Sequence, residues 1–160
     1  MANMSHISTN SPHAWILAAR PKTLTGAAVP VMIGISAAWA DGFFRPVPAL
    51  LCFLFAFFMQ IDANFINDYY DFRKGLDDEK RLGPKRACAE GWITLPAMRR
   101  GIICTTLLSC LTGLPLVWYG GWTMVLIGGC CVVFCFLYTT CMARLGLGDL
   151  LVLVFFGLVP

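Results

Sequence analysis

Asn67-Asp68-Tyr69-Tyr70-Asp71 closes a long apolar run that contains Ala49-Leu-Leu-Cys-Phe-Leu-Phe-Ala-Phe-Phe-Met59. Two carboxylates at the end of a membrane-length apolar segment are costly. A metal, a proton path or an ion pair is the usual reason for them. At roughly 100° per helical residue, Asn64, Asn67, Asp68 and Asp71 fall within an arc of about 100°. One helix face therefore offers two amides and two carboxylates. Oxygen ligands of this kind suit Mg²⁺, which takes one or two carboxylates together with substrate phosphates. Asp62 lies roughly 160° from Asn64 on the same wheel. It points away from that face, toward another helix or a polar cavity, or it stays protonated.

The residues after the carboxylates add positive charge. The segment holds Arg73, Lys74, Asp77, Asp78, Glu79, Lys80, Arg81, Lys85 and Arg86, punctuated by Gly75 and Gly83-Pro84. Carboxylates followed by close cations suit a diphosphate: the ion bridges phosphate oxygens, and Lys or Arg neutralises the remainder. A solvated loop with cations facing lipid headgroups is the alternative reading of the loop charges.

The elements that position these residues follow from composition. Of 160 residues, 58% are hydrophobic and 13% charged, against roughly 25% charged in an ordinary soluble domain. Mean hydropathy is +0.71. Too few polar residues remain to clothe a soluble surface, so the chain reads as a polytopic transmembrane helix bundle. Residues 1–13 are polar, show no secretory signal pattern, and are expected to be a disordered tail. The expected spans are Trp15–Ala40, opening on an interfacial stretch before Arg20-Pro21-Lys22; Val47–Tyr70; Gly101–Trp118; and Trp122–Thr140. Pro30 and Gly34 suggest a kink or close packing in the first. Thr94 is expected as the N-cap of the helix carrying the third. Gly148–Pro160 reads as the opening of a fifth span. The 8 cysteines contain no Cys-x-x-Cys pair and read as small apolar residues.

Arg20, Lys22, the loop cations, Arg99, Arg100 and Arg144 fall on one side of alternating spans, and only Arg45 on the other. By the positive-inside rule the basic side is cytoplasmic. The N-terminus and the loop after the Asp motif are therefore expected in the cytoplasm.

Four stretches resemble the UbiA-type intramembrane prenyltransferases, and within them the menaquinone-pathway branch. Ala19-Arg-Pro-Lys-Thr-Leu24 is similar to the family's opening motif. Asn64-Phe-Ile-Asn-Asp-Tyr-Tyr-Asp-Phe-Arg-Lys-Gly75-Leu-Asp77 is similar to its first Asp-rich motif. Arg81-Leu-Gly-Pro-Lys-Arg-Ala87 with Gly91-Trp-Ile93 resembles the following loop, and Gly146-Leu-Gly-Asp149 with Phe155-Phe-Gly157 the start of the fifth helix. Gly75 stands where the general superfamily pattern has an Asp, a departure shared with the menaquinone branch.

The resemblance implies an all-α, nine-helix membrane fold, of which residues 14–160 would be the first four and a half helices. It implies polyprenyl transfer from a polyprenyl diphosphate to 1,4-dihydroxy-2-naphthoate at an inner membrane, with Mg²⁺ held by Asp68, Asp71 and Asn67. Asp68 and Asp71 would be catalytic. Asn64, Asn67, Arg20, Lys22, Asp77, Arg73, Lys74, Lys85 and Arg86 would contact substrate. No nucleic acid is implied. The family's second Asp-rich motif lies in its latter half and is absent here, so an incomplete active site is expected. Another acceptor (homogentisate or 4-hydroxybenzoate), a proton-coupled transporter relaying through Asp62, Asp68 and Asp71, and a non-catalytic membrane fragment remain as alternative readings.

Overall fold

The computed structural model describes residues 7–75 and 85–140, with side chains through Leu137. Those residues form six helices and no strands: α1 (Pro12–Ala19), α2 (Pro21–Ala40), α3 (Pro46–Arg73), α4 (Leu95–Gly113), α5 (Val117–Gly120) and α6 (Thr123–Thr140). A 3₁₀ turn, Leu114–Leu116, joins α4 to α5. It carries Pro115, which lacks the N–H that a continuing helix would use. The stretches containing α2, α3 and α4–α5 are each long and apolar enough to cross a membrane, and α6 is a shorter apolar helix as far as Leu137. The expected fifth span and Asp77 lie outside the described residues.

Residue type explains the boundaries. Pro21 disfavours the α conformation at the preceding residue, and Arg20 adopts a left-handed φ of 50°. The chain therefore breaks between α1 and α2. Thr23 closes the break: its N–H and its hydroxyl both donate to the Arg20 carbonyl, at 2.9 Å each. Pro30 sits inside α2 without ending it, and Gly34 has open space beside it rather than close packing. α3 runs three residues past the expected Tyr70, because the helix continues beyond the apolar layer into its polar end. Thr94 occupies the N-cap position of α4 but makes no side-chain capping bond.

The N-terminal segment departs from the expected disordered tail over residues 7–13. The Asn10 N–H donates to the Trp92 carbonyl at 2.7 Å, and the Thr94 N–H donates to the Asn10 side chain at 3.1 Å. Ser11 then caps α1 by accepting from the Ala14 N–H. Composition could not reveal this, because the partners lie more than 80 residues away.

The packed core sits at one end of the bundle. Ala14 and Ala18 of α1, Phe65 and Ile66 of α3, Ala87, Cys88 and Ile93 of the loop, and Met98 and Ile102 of α4 form one buried cluster. Elsewhere the helices leave large apolar side chains exposed, and α2 buries none of its residues. Lipid is as apolar as leucine, so burial gains nothing along the spans. At the polar end, loop and helix tips must exclude water.

α3 and α4 make the principal helix pair. Gly101, Thr105, Ser109 and Gly113 recur every four residues along α4, a small-residue seam that lets helices approach closely. A Cβ at Gly101 would fall 2.6 Å from the Trp15 ring, which is itself wedged edge-on to Phe65 at 5.3 Å between centroids. Gly101→Leu should therefore lower stability by about 1–3 kcal/mol through overpacking. A thermal midpoint in detergent checks this, and an unchanged midpoint would mean Trp15 swings away freely.

Candidate functional site

The polar face of α3 is divided among three neighbours. Asn64 turns to the α1–α2 break, where its amide donates to the Ala19 carbonyl and to the Thr23 hydroxyl, both at 2.9 Å. Asp68 is fully buried and turns to the loop. One of its oxygens accepts from the Ala87 N–H at 2.8 Å, the other from the Cys88 N–H at 2.9 Å. Asp71 pairs with the Arg86 guanidinium, which also donates to the Asn67 carbonyl.

The loop itself is a compact turn. Glu90 N–H donates to the Arg86 carbonyl, and Trp92 and Ile93 both donate to the Ala87 carbonyl. Gly91 supplies a φ of 71°, which glycine tolerates without strain. Asp68 anchors this turn from inside and Asn10 from outside. Arg86 is thereby delivered to Asp71 over a separation of 15 residues. Both side chains of that pair are nearly enclosed, at 8% exposure for Arg86 and 15% for Asp71. A buried charge held this way is costly to orphan, by about 3–5 kcal/mol when one partner is removed.

The other expected site residues are placed as follows. Arg20 is half-buried at the break, and Lys22 is exposed on the first turn of α2. Lys85 is exposed and bridges Glu90 at 2.9 Å. Lys74 lies over the Tyr70 ring and Arg73 over the Tyr69 ring. Arg73 is roughly 160° around α3 from Asp71, on another face. The structure therefore brings together Asn67, Asp71 and Arg86, with Asp68 behind the loop.

Asp62 finds its partners on α4. The hydroxyls of Thr105 and Thr106 donate to its two oxygens, Thr106 at 2.7 Å. Asp62 thus faces α4 hydroxyls while Asp68 faces loop amides, so the three carboxylates of α3 do not form one relay. The Thr105-Thr106 pair inside an apolar run was the sequence signal for this contact. Arg86 carried a signal too, beside Gly83-Pro84, but not one that set it above the other loop cations.

Whether Mg²⁺ suits this site rests on the donor set. Asp71 and Asn67 stand one helical turn apart at the mouth of the polar end, matching an ion that uses few protein oxygens and completes its shell with phosphate and water. Among the described residues no group of three or more His, Cys, Asp or Glu side chains gathers as a protein-only cage. Asp68 has both oxygens engaged by amides, which suits holding the loop better than direct ligation.

The UbiA prenyltransferase family model matches residues 27–160. The chain belongs to the UbiA prenyltransferase family. It is 38% identical to 1,4-dihydroxy-2-naphthoate octaprenyltransferase of Escherichia coli (strain K12), over 96% of this chain and 53% of that protein. It is 34% identical to the protein of the same name from Haemophilus influenzae, over 90% of this chain and 50% of that one. UbiA prenyltransferase domain-containing protein 1 of Danio rerio is 28% identical over 90% of this chain and 44% of its own length. The chain thus spans about half the length of these relatives. No solved structure matches it.

Proposed function

We propose that the protein works in Mg²⁺-dependent transfer of a polyprenyl group from an allylic diphosphate to 1,4-dihydroxy-2-naphthoate; the names of its relatives support the acceptor and the prenyl transfer. The observation that carries this reading is the enclosed Asp71–Arg86 pair beside Asn67, at the polar end of an apolar bundle. Asp71 and Asn67 present oxygens for the ion. Arg86 presents a cation for the departing diphosphate. Asp68 holds the loop that carries Arg86, and Asn64 holds the α1–α2 break next to Arg20. Arg20 and Lys22 supply further positive charge at the same end. When bound, Mg²⁺ supplies charge that offsets the anionic leaving group.

In the proposed reaction the allylic C–O bond breaks and its electron pair leaves with the diphosphate. The ring carbon of the acceptor forms the new C–C bond, and the acceptor's carboxylate departs as CO₂. Water would capture the allylic cation, so the chain must keep water out. A cavity of about 1110 Å³ among α2, α3 and α6, lined by residues such as Ala38, Cys52, Ala56, Gly128 and Val132, supports a dry path for the prenyl tail. Ala56 lies 15 residues before Asp71, or about 22 Å along α3, so head and tail would sit at different depths. The protein is proposed to be a multi-pass inner-membrane protein whose basic end faces the cytoplasm.

The test uses the protein expressed from its own gene, in native membranes. Polyprenyl diphosphate and 1,4-dihydroxy-2-naphthoate are expected to yield prenylated product and diphosphate, with loss of both on chelation by EDTA and recovery with added Mg²⁺. Turnover that prefers homogentisate or 4-hydroxybenzoate would move the acceptor assignment, and turnover with none of them would remove the reading.

A further inference from the structure

A second cationic cleft opens on the far side of α3 from Asp71. Tyr69, Tyr70 and Arg73 line it from α3, and Arg99, Ile103 and Leu107 from α4, around a cavity of about 580 Å³. Arg100 lines an adjoining depression together with Tyr69 and Arg99. Among the described residues no carboxylate pairs with Arg73 or Arg99. This contrasts with Arg86, whose charge Asp71 meets. Asp62, which accepts from the Thr106 hydroxyl, lies about 16 Å deeper along α3 than Arg73, so among the described residues the rim of the cleft concentrates positive charge.

An apolar stripe leads away from this rim. Ile103, Leu107, Leu111 and Leu114 are 51%, 64%, 67% and 61% exposed. Steps of four, four and three residues keep them on one helix face. From Ile103 to Leu114 the rise is about 16 Å, close to half of a hydrocarbon core roughly 30 Å thick. Phenol rings flank the charged end, an arrangement that suits tyrosines at a membrane–water interface.

We propose that this α3–α4 cleft binds the headgroup of an anionic phospholipid from the leaflet on the basic side, with an acyl chain along the α4 stripe. Charge complementarity selects an anion, and the one-leaflet length of the stripe selects a bilayer lipid over a small soluble anion. Because the cleft is on a different face from Asp71, the inference does not depend on the reaction proposed above.

Native mass spectrometry of the detergent-purified protein, expressed from its own gene, tests this with phosphatidylglycerol and phosphatidylcholine as probes. Phosphatidylglycerol is expected to be retained preferentially. The Arg73→Gln/Arg99→Gln double variant should bind it about 25-fold more weakly, at about fivefold per arginine, with phosphatidylcholine adducts unchanged. Leu107→Trp, which crowds the stripe while keeping both charges, should also weaken retention. Equal phosphatidylglycerol binding by wild type and double variant would overturn the proposal. So would displacement of the lipid by equimolar inorganic phosphate or diphosphate, which would make the cleft a small-anion or substrate-headgroup site.

Discussion

Asp71→Asn is expected to lower Mg²⁺-dependent prenyl transfer by at least about 10²–10³-fold, the scale on which loss of one preorganised electrostatic contact acts. The substitution is nearly isosteric and removes the negative charge that faces Arg86 and that would face the proposed ion. The Arg86 guanidinium keeps its bond to the Asn67 carbonyl but loses its paired carboxylate. Stability should fall by up to about 3–5 kcal/mol, the scale of removing one partner from a buried ion pair. Adding Arg86→Gln removes the buried cation as well. The double variant should therefore regain much of the stability and none of the turnover, which separates a folding defect from a chemical one. Membrane insertion depends on the apolar runs and should be intact in both. Mn²⁺ binding followed by electron paramagnetic resonance gives a readout apart from activity, and it should weaken in Asp71→Asn. Near-normal turnover in that variant would sink the assignment of the site.

A different defect is expected from Asp68→Ala. Its carboxylate accepts from two buried amides, those of Ala87 and Cys88, and both would lose their acceptor. At about 1–3 kcal/mol for each unsatisfied buried donor, the loop should loosen by about 2–6 kcal/mol. Hydrogen–deuterium exchange should show loss of protection at residues 87–88, which Asp71→Asn should largely spare. Activity should fall because Arg86 is no longer delivered to Asp71, while Mn²⁺ affinity should stay within a few-fold of wild type. If Asp68→Ala instead abolishes metal binding with the loop still protected, Asp68 is a direct ligand and its positioning role is wrong. The two carboxylates of one motif thus make opposite predictions in the same pair of measurements.

Much of the architecture was legible because a membrane is a demanding solvent. Backbone groups in hydrocarbon must be satisfied within the segment, so an apolar run of adequate length becomes a helix whatever surrounds it. The run from Val47 to Tyr70 accordingly appears inside α3, while the chain turns at Gly121-Trp122, between α5 and α6, with Trp118 still inside α5. The expected single span Trp15–Ala40 is instead broken at Arg20-Pro21, for a local reason, since proline restricts the residue before it. The order of residues 7–13 was not readable, because Asn10 is fixed by Trp92 and Thr94 rather than by its neighbours.

The same distinction runs through the site. From its own residues the sequence determined that α3 ends in a polar face carrying Asn64, Asn67, Asp68 and Asp71, and that cations gather at that end. Helical periodicity is a local property, and it assigns each side chain an angle. Only the tertiary structure decided what stands at each angle: the Ala19 carbonyl for Asn64, the loop amides for Asp68, and Arg86 for Asp71. Those partners lie 15 to 45 residues away in the chain, beyond the reach of any helical repeat. Packing chose among the polar groups, so Asn64 and Asp68 were committed to holding the scaffold, while the Asp71 carboxylate and the Asn67 backbone carbonyl meet the Arg86 side chain.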